Sequence, residues 1–175
     1  MTDLFEQSSQ KLDAAITEIQ NAIATGMANK QRLFETMRQL YGEGSANGAW
    51  SQRDAFDLLE AALTRHMAGL LNKPQMLHQI SEISALIEAL PTHTVRSEDQ
   101  IRFQQFSTPA DLAALCVILA QPLATDIVLE PSAGHGALVA TLPDVSALHL
   151  NEIDPRRREK LALLLPKATL TGIDG

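Results

Sequence analysis

Two changes of pattern along the chain predict an α/β protein, with an all-α helical bundle over residues 1–92, a linker over 93–100 and part of a parallel sheet over 101–175. Apolar residues recur at helical spacing through most of the first ninety positions. After residue 101 three short apolar runs alternate with helical stretches, the order that builds parallel βαβ units. A glycine-bearing turn follows the first of these runs.

In the first region, Phe5, Leu12, Ile16, Ile19 and Ile23 share one helical face, with Asp3 and Glu6 as a capping-box-like start and Gly26 as a stop. A second helix is expected from about Met27 to Tyr41 with Leu33, Met37 and Leu40 inward, and the run Gly42 to Gly48 reads as a flexible loop. A third follows a Ser51 cap and buries Phe56, Leu59, Leu63, Met67 and Leu71, with Trp50 beside the cap as a packing anchor. The fourth is expected from about Pro74 to Leu90, before Pro91.

In the second region, Thr108-Pro109 reads as a helix start with Asp111 in an acidic first turn, and Cys116 falls in an apolar helix from Leu112 to Leu119 as a core residue. Ile127-Val128-Leu129 is a continuous apolar run, expected as a short strand buried on both faces. Gly134 and Gly136 let the backbone bend and lie close to a ligand, and Ala137 to Leu142 reads as a helix whose N–H groups would face the turn. A second strand at Ala147–Leu150 leads through Asn151-Glu152-Ile153-Asp154-Pro155 into a helix from about Arg156 to Leu165. A third at Ala168–Thr171 leads into Gly172-Ile173-Asp174. Glu152 lies 18 positions after Gly134, near the separation of about 20 at which an acidic residue meets ribose hydroxyls in a doubly wound sheet. The glycines do not complete a dinucleotide fingerprint, since Val139 stands where the last glycine belongs, and this disfavours NAD.

Three stretches resemble S-adenosylmethionine-dependent DNA methyltransferases of the adenine-N6 type. Gln104-Gln105-Phe106-Ser107-Thr108-Pro109 resembles the F-x-T-P segment of that family, Leu129 to Gly136 its E-P-x-x-G-x-G turn, and Asn151 to Pro155 with Ile173-Asp174 its ribose and adenine contacts. The resemblance covers about residues 101–175 and implies a Rossmann-like sheet binding S-adenosylmethionine. By this likeness Thr108 would help hold the methionine carboxylate, Glu130 would face the ammonium or a water bound to it, and Pro131, Ser132, Ala133, Gly134, His135 and Gly136 would wrap the methionine portion. Glu152 would accept from the ribose, Ile153 would pack on the adenine and Asp174 would accept from its amine. Taken singly, each stretch has a plainer account as a helix start, a strand flank or a turn; it is their joint order that carries the likeness.

The family's D/N-P-P-Y/F tetrapeptide, which holds a flipped-out adenine, does not occur in the sequence and is expected beyond Gly175. The chain is therefore read as the helical extension and truncated cofactor half of a restriction-modification, phage or plasmid enzyme, inactive on DNA by itself. The alternative is a non-catalytic methyltransferase-like interaction or assembly module led by the helices. DNA would be a partner of the intact protein, and the helices would serve a second copy or a partner subunit. Acidic residues outnumber basic ones in both regions, with a net charge of −7, so a strong nonspecific DNA clamp is not expected. Arg156-Arg157-Arg158 reads as a solvated helix face that slightly opposes the helix dipole. His135 is read as lining the loop, since no partner carboxylate is legible for it, and His66, His78, His93 and His149 show no metal spacing with Cys116. One cysteine and no apolar run near 18 residues make a cytoplasmic, membrane-free location the expectation.

Overall fold

The computed structural model describes residues 2–42, 44–70, 76–92 and 107–174. Leu71, Pro74, the expected linker at 93–100, His93 and Gln104-Gln105-Phe106 lie outside the described residues, as do the side chains of Asp3, Phe5 and His78. Six α-helices and a three-stranded parallel sheet are described, a mixed arrangement compatible with an α/β fold. Among the described residues no helix is long and apolar enough to cross a membrane.

Helix α1 spans Thr2–Ala24 and α2 Lys30–Tyr41, the latter capped by the Asn29 side chain, which accepts from the Arg32 N–H at 2.9 Å, and closed by Gly42 in the left-handed conformation. The loop read as flexible holds a short 3₁₀ turn at Ser45–Asn47. Helix α3 spans Gln52–Leu70 and begins on a reciprocal cap, in which Asp54 accepts from both the N–H and the hydroxyl of Ser51. Leu12, Ile16, Ile19 and Ile23 of α1 are buried with Leu33 and Met37 of α2 and with Phe56, Leu58 and Leu59 of α3. Trp50 joins this core edge-to-face with Phe34, ring centres 5.4 Å apart. Helix α4 (Met76–Ala89) and helix α5 (Ala110–Ala120) pack together in a second core, where Ile83, Ala110, Ala114 and Ala140 meet Met67 of α3.

The sheet runs β1 (Ile127–Glu130), β2 (Ala147–Asn151) and β3 (Thr169–Thr171), all parallel, in the order β1-β2-β3, with helix α6 (Pro155–Leu164) crossing from β2 to β3. Glu130 pairs with Leu150, and Asn151 with Thr171, so all three strands end toward the same edge. Ala133, Val139, Leu150 and Leu161 fill the space between turn, sheet and α6.

Four expectations are corrected. Ala137 to Leu142 is not an α-helix: only Ala137–Val139 is regular, as 3₁₀, with hydrogen bonds from Val139 to Gly136 and from Leu142 to Val139. Pro143 accounts for this, because the residue before a proline is driven from helical angles and proline has no N–H to extend the ladder. Strand β1 is not buried on both faces, since Ile127 and Leu129 are 71% and 68% exposed on a face that no described element covers. Cys116 is exposed, not core: α5 turns Ala113, Ala114 and Val117 inward and leaves Leu112, Cys116 and Leu119 outside. The helix start read at Thr108-Pro109 is not capped by Thr108, because α5 begins at Ala110 with Pro109 as its N-cap and no side-chain cap, while Asp111 accepts from the Ser84 hydroxyl at 2.7 Å.

Candidate functional site

The first wall of the site comes from the turn after β1. Gly134 has φ of +55° and Gly136 of +83°, angles that side-chain-bearing residues rarely take. They serve different ends. A Cβ at Gly134 would meet nothing within 4 Å, whereas one at Gly136 would press on Leu161 and Leu165 at 3.1 and 3.3 Å. Gly134 faces open space, and Gly136 lets the turn pack on α6.

Glu152, just past β2, holds this bend. One carboxylate oxygen accepts from the Gly134 N–H at 2.8 Å and the other from the Asp154 N–H at 2.8 Å. Each oxygen keeps a further lone pair. Asn151 ties the same edge together: its side chain donates to the Pro131 and Ile173 carbonyls and accepts from the Ile173 N–H and the Thr171 hydroxyl. The bend and the acid, 18 residues apart, are thus in direct contact.

A cavity of about 800 Å³ opens at this edge, within the usual range of about 300–1,000 Å³ for small-molecule sites. Of the predicted residues, Thr108, Pro131, Ser132, Ala133, Gly134, His135, Glu152, Ile153 and Asp174 line it. Gly136 and Glu130 do not. Glu130 turns back on its own loop and accepts from the Ser132 N–H at 2.9 Å.

The opposite wall belongs to α3, which the sequence reading assigned only to a core. Glu60, Leu63, Thr64 and Met67 line the cavity. Arg53, Asp57, Glu60 and Thr64 follow one another at intervals of four, three and four, a polar stripe along a helix whose other faces bury Phe56, Leu58, Leu59 and Ala62. Such a stripe was the available signal: a helix apolar on its remaining faces is enclosed, so its polar residues must face polar partners.

Those partners correct two expectations. His135 is 4% exposed and does have carboxylate partners: Nδ1 lies 2.8 Å from Glu60 Oε2, and Nε2 lies 3.7 Å from Asp57 Oδ1. The arginine run is not a solvated face. Arg157 is 3% exposed and donates to Asp57 at 3.2 Å, half-exposed Arg156 pairs with Asp54, and Arg158 donates to the Glu152 carbonyl at 2.7 Å. Gly172 leaves room for Arg158, since a Cβ there would collide with its guanidinium. The expected conflict with the helix dipole is met by Asp154, the α6 cap, which accepts from the Arg156 N–H and pairs with Arg53 at 2.6 Å. Burial alone would raise the pKa of Asp154; the Arg156 N–H bond and the charges of Arg156 and Arg53 outweigh it and hold the group below its ordinary value.

Burial likewise works to raise the pKa of Glu60, but the hydrogen bond and charge of His135, the Ser107 hydroxyl and the charge of Arg157 bring it below the ordinary glutamate value. Glu60 therefore carries its charge at neutral pH. Asp57, Glu60 and His135 also place one donor atom each within 4.8 Å, the reach of a metal site. Their arrangement disfavours one, because the two carboxylates flank opposite nitrogens of the ring and Asp57 already serves the Arg53 and Arg157 guanidiniums.

The chain matches no family model, no curated protein and no solved structure.

Proposed function

We propose that this chain is the S-adenosylmethionine-binding portion of a DNA adenine-N6 methyltransferase, its sheet the first half of a Rossmann-like class I fold. The observation that carries the reading is the contact between the Gly134 N–H and Glu152, which gathers the glycine bend, the acid and Ile153, Ile173 and Asp174 around one cavity. The residues fit the group. Ile153 and Ile173 offer apolar surface for an adenine, Asp174 an acceptor for its amine, and the spare lone pairs of Glu152 acceptors for ribose hydroxyls. Open space at Gly134 admits a ligand close to the backbone. When bound, the cofactor supplies an activated methyl group; these residues bind and orient it. The sequence holds no D/N-P-P-Y/F tetrapeptide, so these residues are assigned cofactor binding and no part in capturing the target adenine.

Calorimetric titration with S-adenosylhomocysteine tests the reading. Binding is expected, NAD should give none, and Glu152→Ala should weaken the affinity by about ten- to a hundredfold, the loss of a charge-assisted hydrogen bond of roughly 1.5–3 kcal/mol. Undiminished affinity in that variant would remove Glu152 from the ribose.

A further inference from the structure

Helix α3 brings a carboxylate to the cavity from outside the stretch that carries the cofactor motifs. Both protein donors to Glu60 converge on the same oxygen: the Ser107 hydroxyl and His135 Nδ1 each meet Oε2. Among the described residues Oε1 accepts from none, and the side chain is 37% exposed at a cavity wall. A carboxylate with one oxygen fixed and the other without a donor among the described residues is oriented for a donor from the cavity.

The surroundings narrow the identity of that donor. Among the described residues the cavity is walled by three carboxylates, Glu60, Glu152 and Asp174, and the one guanidinium lining it, that of Arg157, is engaged by Asp57. The balance favours a ligand carrying positive charge. Glu152 and Asp174 lie just past the ends of β2 and β3, beside Ile153 and Ile173. Glu60 lies on the α3 side, bonded to the residue before Thr108 and to the histidine after Gly134. That is the side on which the amino-acid end of the ligand would sit, and Glu130 does not reach it.

We infer that Glu60 is the residue that binds the ammonium group of the cofactor's amino-acid moiety, with Ser107 and His135 holding its carboxylate in place. The inference rests on the methyl-donor reading of the same cavity. The helical extension is then part of the cofactor site, completing a subsite that the turn leaves without a carboxylate.

The test pairs one protein change with one ligand change. Glu60→Gln keeps an oxygen for Ser107 and His135, removes the charge and turns the other oxygen from an acceptor into an NH2 donor. 5′-Methylthioadenosine keeps the nucleoside and sulfur of S-adenosylhomocysteine and lacks both the ammonium and the carboxylate. Titrated into the full chain, S-adenosylhomocysteine should bind Glu60→Gln about tenfold or more weakly than wild type, while 5′-methylthioadenosine should bind both proteins equally. An equal loss for the two ligands would reduce Glu60 to a support for His135 and overturn the inference, as would no loss for either. Should Glu60→Gln fail to fold, as judged by circular dichroism, Glu60→Asp carries the same comparison: it keeps the charge, draws it back by one methylene, and should weaken only S-adenosylhomocysteine. Wild-type protein that binds neither nucleoside would end the methyl-donor reading itself, whereas wild-type binding with an indifferent Glu60 would end only the assignment of this residue.

Discussion

Helix α3 is packed by two unlike chemistries. Toward α1 its buried contacts are apolar, with Ile16 and Ile19 fully enclosed against α3 residues such as Leu58 and Leu59, while Arg65 pairs with Asp13 at 2.6 Å on the more exposed margin. Toward α6 and the glycine turn they are charged: Arg53 on Asp154, Asp57 on Arg157, Glu60 on His135. The apolar side tolerates small shifts, because dispersion and the hydrophobic effect have no direction. The charged side fixes position, since a buried ion pair is favourable only when its geometry and hydrogen bonds are complete. Fixing the turn against α3 is what makes two regions of different composition share one cavity.

The largest effect is expected on the charged side. Asp57→Ala leaves Arg157 buried without its partner and should cost about 3–5 kcal/mol of unfolding free energy, read from a urea transition. Much of the loss should return in the double variant Asp57→Ala, Arg157→Met, which removes the stranded charge as well. Failure of that rescue would mean the pair is not the source of the cost. On the apolar side Ile19→Ala should cost about 2–4 kcal/mol from lost burial and a cavity, with the affinity of the folded protein for S-adenosylhomocysteine, on the proposed function, unchanged. A drop in affinity there would show that the apolar packing also sets the site.

The smallest effect is one of pH and sharpens the same contrast. The pKa values of Asp154 and Glu60 are lower in the folded chain than in the unfolded one, so the folded state binds fewer protons and their contribution is complete above the unfolded value, about 4. It is lost as pH falls through the lower, folded values. Thermal unfolding midpoints should therefore hold near neutrality and decline below about pH 4, and Asp154→Asn should flatten part of that decline while lowering stability at pH 7. A wild-type profile that the variant merely shifts without flattening would exclude Asp154 from the linkage.

The long helices, the three strands and the bend at Gly134 were legible in the residues, because each depends on neighbours a few positions away. Ile16, Ile19 and Ile23 announce a face by spacing alone, and Asn151 to Pro155 mark the end of a strand and the start of a helix. The convergence of Gly134 and Glu152 was legible too, as a fixed separation across the ends of two adjacent parallel strands. The length of the helix after Gly136 was misjudged because Pro143 overrides the apolar pattern, and the exposure of Ile127, Leu129 and Cys116 because hydrophobicity says which residues favour burial and not which find cover.

What only the tertiary structure decided is the charged half of the site. Glu60 and His135 are 75 residues apart, Asp57 and Arg157 are 100 apart, and Arg53 and Asp154 are 101 apart. A carboxylate at helical spacing reads the same whether it faces water or a guanidinium, so sequence fixes the charge and its period but not its partner. The partner is set by how α3 and α6 lie against each other, and electrostatic strength depends on that distance and on the water excluded from between them.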